Sequence, residues 1–182
     1  AQEPVLRAEI DETAVIPGQA VSLRLTVLVP SFLPDPPLWP SYEAPNLLVR
    51  VASTGPVSER IDGATWPGVS RRYLVAPMVP GPVNLPAQEI VVTWVDPETN
   101  VPRRTVLATD AITITGILPE GAEALDPFLA ADAVTLEQIV EGTPEGMVPG
   151  DSLSRTVIAT IEGTSPMFLP PLLPEHAIDG LR

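Results

Sequence analysis

Histidine occurs once in this chain, at position 176, and cysteine and lysine do not occur at all. That inventory closes most routes to covalent or metal-assisted catalysis. A Cys–His pair, a Schiff-base lysine and a multi-histidine zinc site each need residues that are missing. A Ser–His–Asp triad would have to recruit His176, which follows the proline-rich run Pro170-Pro171-Leu172-Leu173-Pro174. In an internal repeat described below, its counterpart is Tyr42, so the position does not require an imidazole. Paired carboxylates remain, Asp11 with Glu12 and Asp96 with Glu98. Acid–base or glycosidic work needs two carboxyl groups facing each other across a cleft. These pairs sit at turn signals, where such residues serve as turn formers or solvated loop positions. Glu120, Glu123 and Asp126 offer the hard oxygens calcium prefers, but they lack the alternating Asp spacing of a calcium loop. No catalytic, metal or cofactor residue is therefore assigned, and the chain reads as a non-enzyme.

Binding chemistry is better represented. Trp39 and Trp66 lie beside prolines, where an exposed indole suits a partner surface and where capping the end of a sandwich is the commoner use. Trp94 lies in the apolar run Ile90-Val91-Val92-Thr93-Trp94-Val95 and reads as core. Two arginine pairs, Arg71-Arg72 and Arg103-Arg104, stand out against an acidic background. Strand alternation places one member of each pair on either face. They serve either as charged protection of a strand edge or as contacts to an acidic partner.

The elements that must carry these side chains follow from composition and pattern. The 182 residues are 45% hydrophobic and include 24 prolines against 12 glycines. Such a proline density is hostile to long helices and suits strands joined by rigid turns. The net charge is −13, and all ten basic residues are arginine. That field argues against nucleic acid and against an anionic membrane surface. No apolar run approaches the roughly 18 residues of a membrane helix. The opening Ala1-Gln2-Glu3 resembles the fresh end left by signal-peptide cleavage, which points to an extracytoplasmic protein.

Period-2 alternation is the dominant signal. Val21, Leu23, Leu25, Val27 and Val29 alternate with Ser22, Arg24, Thr26 and Leu28. Further strands are expected at 5–10, 47–52, 71–76, 89–95 and 104–115. Turns are expected at Pro17-Gly18, Thr54-Gly55-Pro56, Asp62-Gly63, Pro80-Gly81 and 96–100. Some seven short strands with frequent turns predict an all-β immunoglobulin-like sandwich over 1–117. Residues 118–132 read as a linker with room for one or two helical turns.

The chain then repeats itself. Val15-Ile16-Pro17-Gly18-Gln19-Ala20-Val21-Ser22 is echoed by Met147-Val148-Pro149-Gly150-Asp151-Ser152-Leu153-Ser154 at an offset of 132, each followed by a long alternating strand. Pro36-Pro37-Leu38-Trp39-Pro40 is echoed by Pro170-Pro171-Leu172-Leu173-Pro174 at an offset of 134. Residues 133–182 are therefore expected to be the N-terminal part of a second, truncated module of the same kind, in a fragment of a longer protein.

Three stretches resemble the BatD family of bacterial aerotolerance, or oxygen tolerance, proteins. They are Val5-Leu6-Arg7-Ala8-Glu9-Ile10-Asp11 with Ile16-Pro17-Gly18-Gln19 and the strand after it, Pro37-Leu38 through Asn46-Leu47-Leu48-Val49, and Arg72-Tyr73-Leu74-Val75-Ala76-Pro77 with Pro80-Gly81 and Leu85-Pro86-Ala87. The resemblance implies tandem β-sandwich modules in a periplasmic, membrane-anchored protein. It also implies partnership with MoxR-type ATPases and von Willebrand A-domain proteins of the envelope, without an active site. The expected function is protein–protein scaffolding, with Trp39, Trp66, Arg71, Arg72, Arg103 and Arg104 as candidate partner contacts. The alternative is a carbohydrate-binding or adhesin module built on the tryptophans.

Overall fold

The computed structural model describes residues 2–173 and divides into two compact units, Ala1–Glu123 and Ala124–Arg182. Both are built from strands and turns. Among the described residues the one helical element is a single 3-10 turn, Pro166–Phe168, whose Met167 N–H donates to the Ser165 hydroxyl.

Unit 1 is a two-layer β-sandwich of nine strands among its described residues: β1 (Val5–Ile10), β2 (Ala14–Val15), β3 (Val21–Leu28), β4 (Leu47–Ile61), β5 (Ala64–Pro77), β6 (Gly81–Leu85), β7 (Glu89–Val95), β8 (Pro102–Ala108) and β9 (Ile112–Gly116). One layer has the order β1-β3-β5-β4, all antiparallel. The other contains β6 to β9, with β2 crossing over from the first layer to pair parallel with β9. The alternation in β3 explains its place. Val21, Leu23, Leu25, Val27 and Val29 are each at most 2% exposed and meet Tyr73, Val75, Leu85, Ile90, Val92, Trp94 and Ile114 between the layers. Each such side chain stabilises the fold by about 1.5–3 kcal/mol on transfer out of water.

Two expected elements come out differently. Thr54-Gly55-Pro56 is not a turn but the middle of β4, which runs unbroken for 15 residues. β4 is the edge of its sheet, and an edge strand tolerates a proline whose missing N–H would face solvent. The real reversal is Asp62-Gly63, where φ is 49° and 81°, the signature of a two-residue primed turn. A bulge between Val51 and Ser53 adds local twist. The resulting arm coils so far that β1 and β4, at opposite edges, are joined by a 2.5 Å ion pair between Arg7 Nη1 and Glu59 Oε2. In a flat sheet three strand spacings would hold them about 14 Å apart.

The expected strand 104–115 is likewise two strands, β8 and β9. β6 pairs with β9 and β7 with β8 in one common register, Gly81 opposite Gly116 and Val95 opposite Pro102. They are two halves of a single hairpin, interrupted opposite each other at Pro86-Ala87-Gln88 and Thr109-Asp110-Ala111. Pro86 cannot donate to the ladder. Thr109 holds the interruption, because its N–H donates to Gln88 O and its hydroxyl accepts from Gln88 N–H. Unit 1 extends to Glu123 rather than 117, since Ile117 N–H still donates to Val15 O and Ala122 is buried. No helix forms in 118–132, only turns and bends, as Pro119, Gly121 and Pro127 make intelligible.

Among its described residues unit 2 holds one hairpin, β10 (Ala133–Glu141) and β11 (Ser154–Glu162). Its register is that of β1 and β3. Leu6 lies opposite Val27 and Ile10 opposite Leu23; Leu136 lies opposite Ala159 and Val140 opposite Arg155. Shifting β1 by 130 positions and β3 by 132 superimposes the two ladders pair for pair. The turn recurs as well. Gln19 N–H donates to Ile16 O at 3.0 Å with Gly18 at φ 91°, and Asp151 N–H donates to Val148 O at 3.0 Å with Gly150 at φ 105°. Proline followed by a positive-φ glycine is the chemistry of a type II turn.

Candidate interaction surface

The six candidate contacts separate into three kinds. Trp66 is buried, at 4% exposure, and is not available to a partner. It sits on the face of β5 that carries Gly68 and Ser70, away from the sandwich core. Alternation alone would give that face to solvent, but the coiling of the arm covers it. Leu28 is fully buried beside Gly68, and the Thr26 and Ser70 hydroxyls share a buried 3.1 Å hydrogen bond on the same face. The Trp66 indole N–H has no acceptor among the described residues. Trp94 is core as expected, and its Nε1–H donates to Thr105 Oγ1 at 2.9 Å.

Arg103 is engaged in holding a loop. Its Nη2 lies 2.6 Å from Asp96 Oδ2, and the other Asp96 oxygen accepts from the N–H groups of Glu98 and Thr99. These backbone donors first, and the Arg103 charge after them, hold the Asp96 carboxyl below the ordinary carboxylate range against the opposing effect of burial. Asp96 and Glu98 are thus parts of a turn rather than a catalytic pair. Asp11 behaves similarly, accepting from the N–H groups of Glu12 and Ser22. Arg104 is exposed, with no ion pair among the described residues.

Arg71 and Arg72 divide between the faces of β5. Arg72 stands opposite Arg24 and away from the core; Arg71 stands opposite Leu25, on the core side. An arginine at an inward position of an acidic protein would be expected to find a carboxylate, and among the described residues Arg71 has none. Its guanidinium lies over Trp39 at 5.2 Å from the ring centroid, and its Nε donates to Thr54 Oγ1 at 2.9 Å. The stack is worth about 0.5–1 kcal/mol where exposed. It fixes the plane of the fork, whose charge also acts on the neighbouring Tyr73 phenol. Next along the core face, Tyr73 donates to Pro40 O at 2.8 Å and meets Tyr42 edge-to-face at 5.2 Å. Burial raises the pKa of both phenols, with Arg71 opposing the rise at Tyr73 and Thr109 at Tyr42.

The loop that supplies Trp39 also presents Phe32 and Leu38, which are 54% and 60% exposed. It is tied to β7 by Leu38 N–H donating to Val91 O and Val95 N–H donating to Phe32 O. Val51 of β4 is exposed too. The sequence reading missed Phe32, Leu38, Val51 and Thr54. The apolar residues of a proline-rich loop carry no periodicity, and Thr54 was assigned to a turn.

His176 lies outside the described residues. Among the described residues there is no group of three or more histidine, aspartate or glutamate side chains placed to hold a metal ion, and no helix is long and apolar enough to cross a membrane. What the fold defines is a class, an all-β sandwich protein whose exposed special features are strand edges and a stacked arginine. Compared with family models, curated proteins and solved structures, the chain finds no match.

Proposed function

We propose that the chain is a non-catalytic scaffold of the bacterial envelope that binds other proteins through unit 1, at the Arg71–Trp39 stack and the exposed residues beside it. The observation that carries this reading is the inward arginine held by Trp39 and Thr54 without a carboxylate of its own. Such a group is complementary to an acidic side chain or chain terminus of a partner. The resemblance to BatD proteins extends the proposal. It gives a periplasmic, membrane-anchored protein acting in stress or oxygen tolerance with MoxR-type ATPases and von Willebrand A-domain partners.

The immunoglobulin-like reading of unit 1 is supported by connectivity. One layer has the order β1-β3-β5-β4, and in the other the Leu38 bridge meets β7, which pairs with β8. With β6–β7 and β8–β9 counted as the two strands of one hairpin, this resembles the four-plus-three arrangement of constant-type domains, the third strand being reduced to a bridge and β2 added at the edge. The adhesin alternative has less to stand on, because Trp66 and Trp94 are buried and Trp39 is half-buried beneath Arg71.

The test is binding of the full chain to a purified von Willebrand A-domain protein of the bacterial envelope. The Arg71→Ala and Trp39→Ala variants should each weaken binding about tenfold, and Arg104→Ala should leave it unchanged. Equal binding by all of them, or binding to glycans that Trp39→Ala abolishes, overturns the proposal.

A further inference from the structure

Unit 1 has a cleft at the free edge of β6. β9 pairs with β6 on one side, and no strand among the described residues pairs with the other. The segment between β3 and β4 bridges to this layer only at Leu38, opposite Val91 of β7. It then continues without pairing until β4 begins at Leu47. Residues 43–46 of that segment and residues 79–86 together line a cavity of about 410 Å³, within the size range of ligand sites. The loop side is anchored by Met78 N–H, which donates to Asn46 O at 2.9 Å, and the buried Val83 contributes to the wall.

We propose that this cleft binds an arginine side chain of a partner protein. The lining offers acceptors and few backbone donors. Glu43 is its only ionisable group, exposed and without an ion pair among the described residues. Pro45, Pro82 and Pro86 bring carbonyls but no N–H, and Asn46 and Asn84 add amide oxygens. A guanidinium is the complement of such a lining, because it carries five N–H donors, accepts nothing and meets a carboxylate with two parallel hydrogen bonds. Its apolar stem suits the proline rings. An ammonium has three donors around a point charge and matches spread acceptors less well. The net charge of −13 attracts a basic partner toward the cleft. The site is opposite in sign to the Arg71–Trp39 stack and independent of it: there the chain supplies the cation, here the carboxylate.

The probe is the end-blocked tripeptide Gly-Arg-Gly, titrated into the full chain while backbone amide shifts are followed by NMR. Saturable shifts confined to residues 43–46 and 79–86 support the proposal. Glu43→Gln, at an exposed position, should weaken binding about fivefold, as loss of an exposed ion pair does. Glu12→Gln, which removes one carboxylate elsewhere, should bind as the unaltered chain does. The same peptide with citrulline, whose urea group is neutral, should not saturate, and the lysine version should bind more weakly. The proposal is overturned by absence of saturation, by shifts spread over the acidic surface, by equal binding of the citrulline or lysine peptide, or by unchanged binding to Glu43→Gln. Shifts in the cleft that grow with chain concentration without peptide also overturn it, because a second copy would then be the occupant. None of these outcomes touches the Arg71-dependent binding, so the two readings fail separately.

Discussion

The β1–β3 and β10–β11 hairpins share a register and a Pro-Gly turn, yet one is buried and the other exposed. Val21, Leu23, Leu25 and Val27 are sealed between two layers, whereas no residue of β10 is even half-buried. The difference separates two kinds of information. Alternation and turn chemistry fix which residues pair, because a one-residue slip would turn every side chain to the wrong face. Stability comes from what lies on the apolar face, and that depends on residues far away in sequence.

The largest expected effect tests the role of that cover. A Cβ at Gly68 would lie 1.9 Å from Val27 O, so Gly68→Ala must push β5 off β3. A loss of about 4 kcal/mol or more is expected, leaving β3 as uncovered as β11. Next comes a matched pair, Leu25→Ala and Val157→Ala, at equivalent ladder positions. The first should cost about 2–5 kcal/mol and the second less than about 0.5 kcal/mol. All three tryptophans lie in unit 1, so their fluorescence in a denaturant titration checks Leu25→Ala, while amide exchange across the β10–β11 ladder checks Val157→Ala. Smaller again are Gly18→Ala and Gly150→Ala, at positive φ. Each strains its turn by about 1–2 kcal/mol. In unit 1 this should lower the denaturation midpoint, and in unit 2 it should appear only as a loss of cross-strand contacts by NMR. The smallest effect is set by pH. Asp96 has its pKa lowered in the fold, so its contribution is present above the ordinary carboxylate range and is lost as pH falls through the depressed value. Protection of the amides in residues 96–102, taken relative to their intrinsic exchange at each pH, should fall below about pH 4, and Asp96→Asn should flatten that dependence.

Much of the ladder was legible in the residues. β1 and β7 were expected with their observed bounds and β3 within one residue, because strict alternation leaves a strand one register. Asp62-Gly63 and 96–100 carry turn chemistry that nothing overrides. Thr54-Gly55-Pro56 carries turn chemistry too, but an edge position removes the reason to break the strand. The division of 104–115 arises from Pro86 on the opposite strand, and local pattern cannot report it. At the candidate surface, alternation correctly sent Arg71 and Arg72 to opposite faces. It could not show that Trp39 lies under Arg71, nor that coiling buries Trp66, since both depend on the path of the 29–46 loop and the twist of the arm.

Residue-resolved amide exchange on the full chain decides whether cover on the apolar face, and not pairing alone, protects a strand. The β3 amides are expected to exchange only through global opening of unit 1, and the β11 amides many orders of magnitude faster. Equal protection of Val21–Leu28 and Ser154–Glu162 in the isolated chain would contradict it.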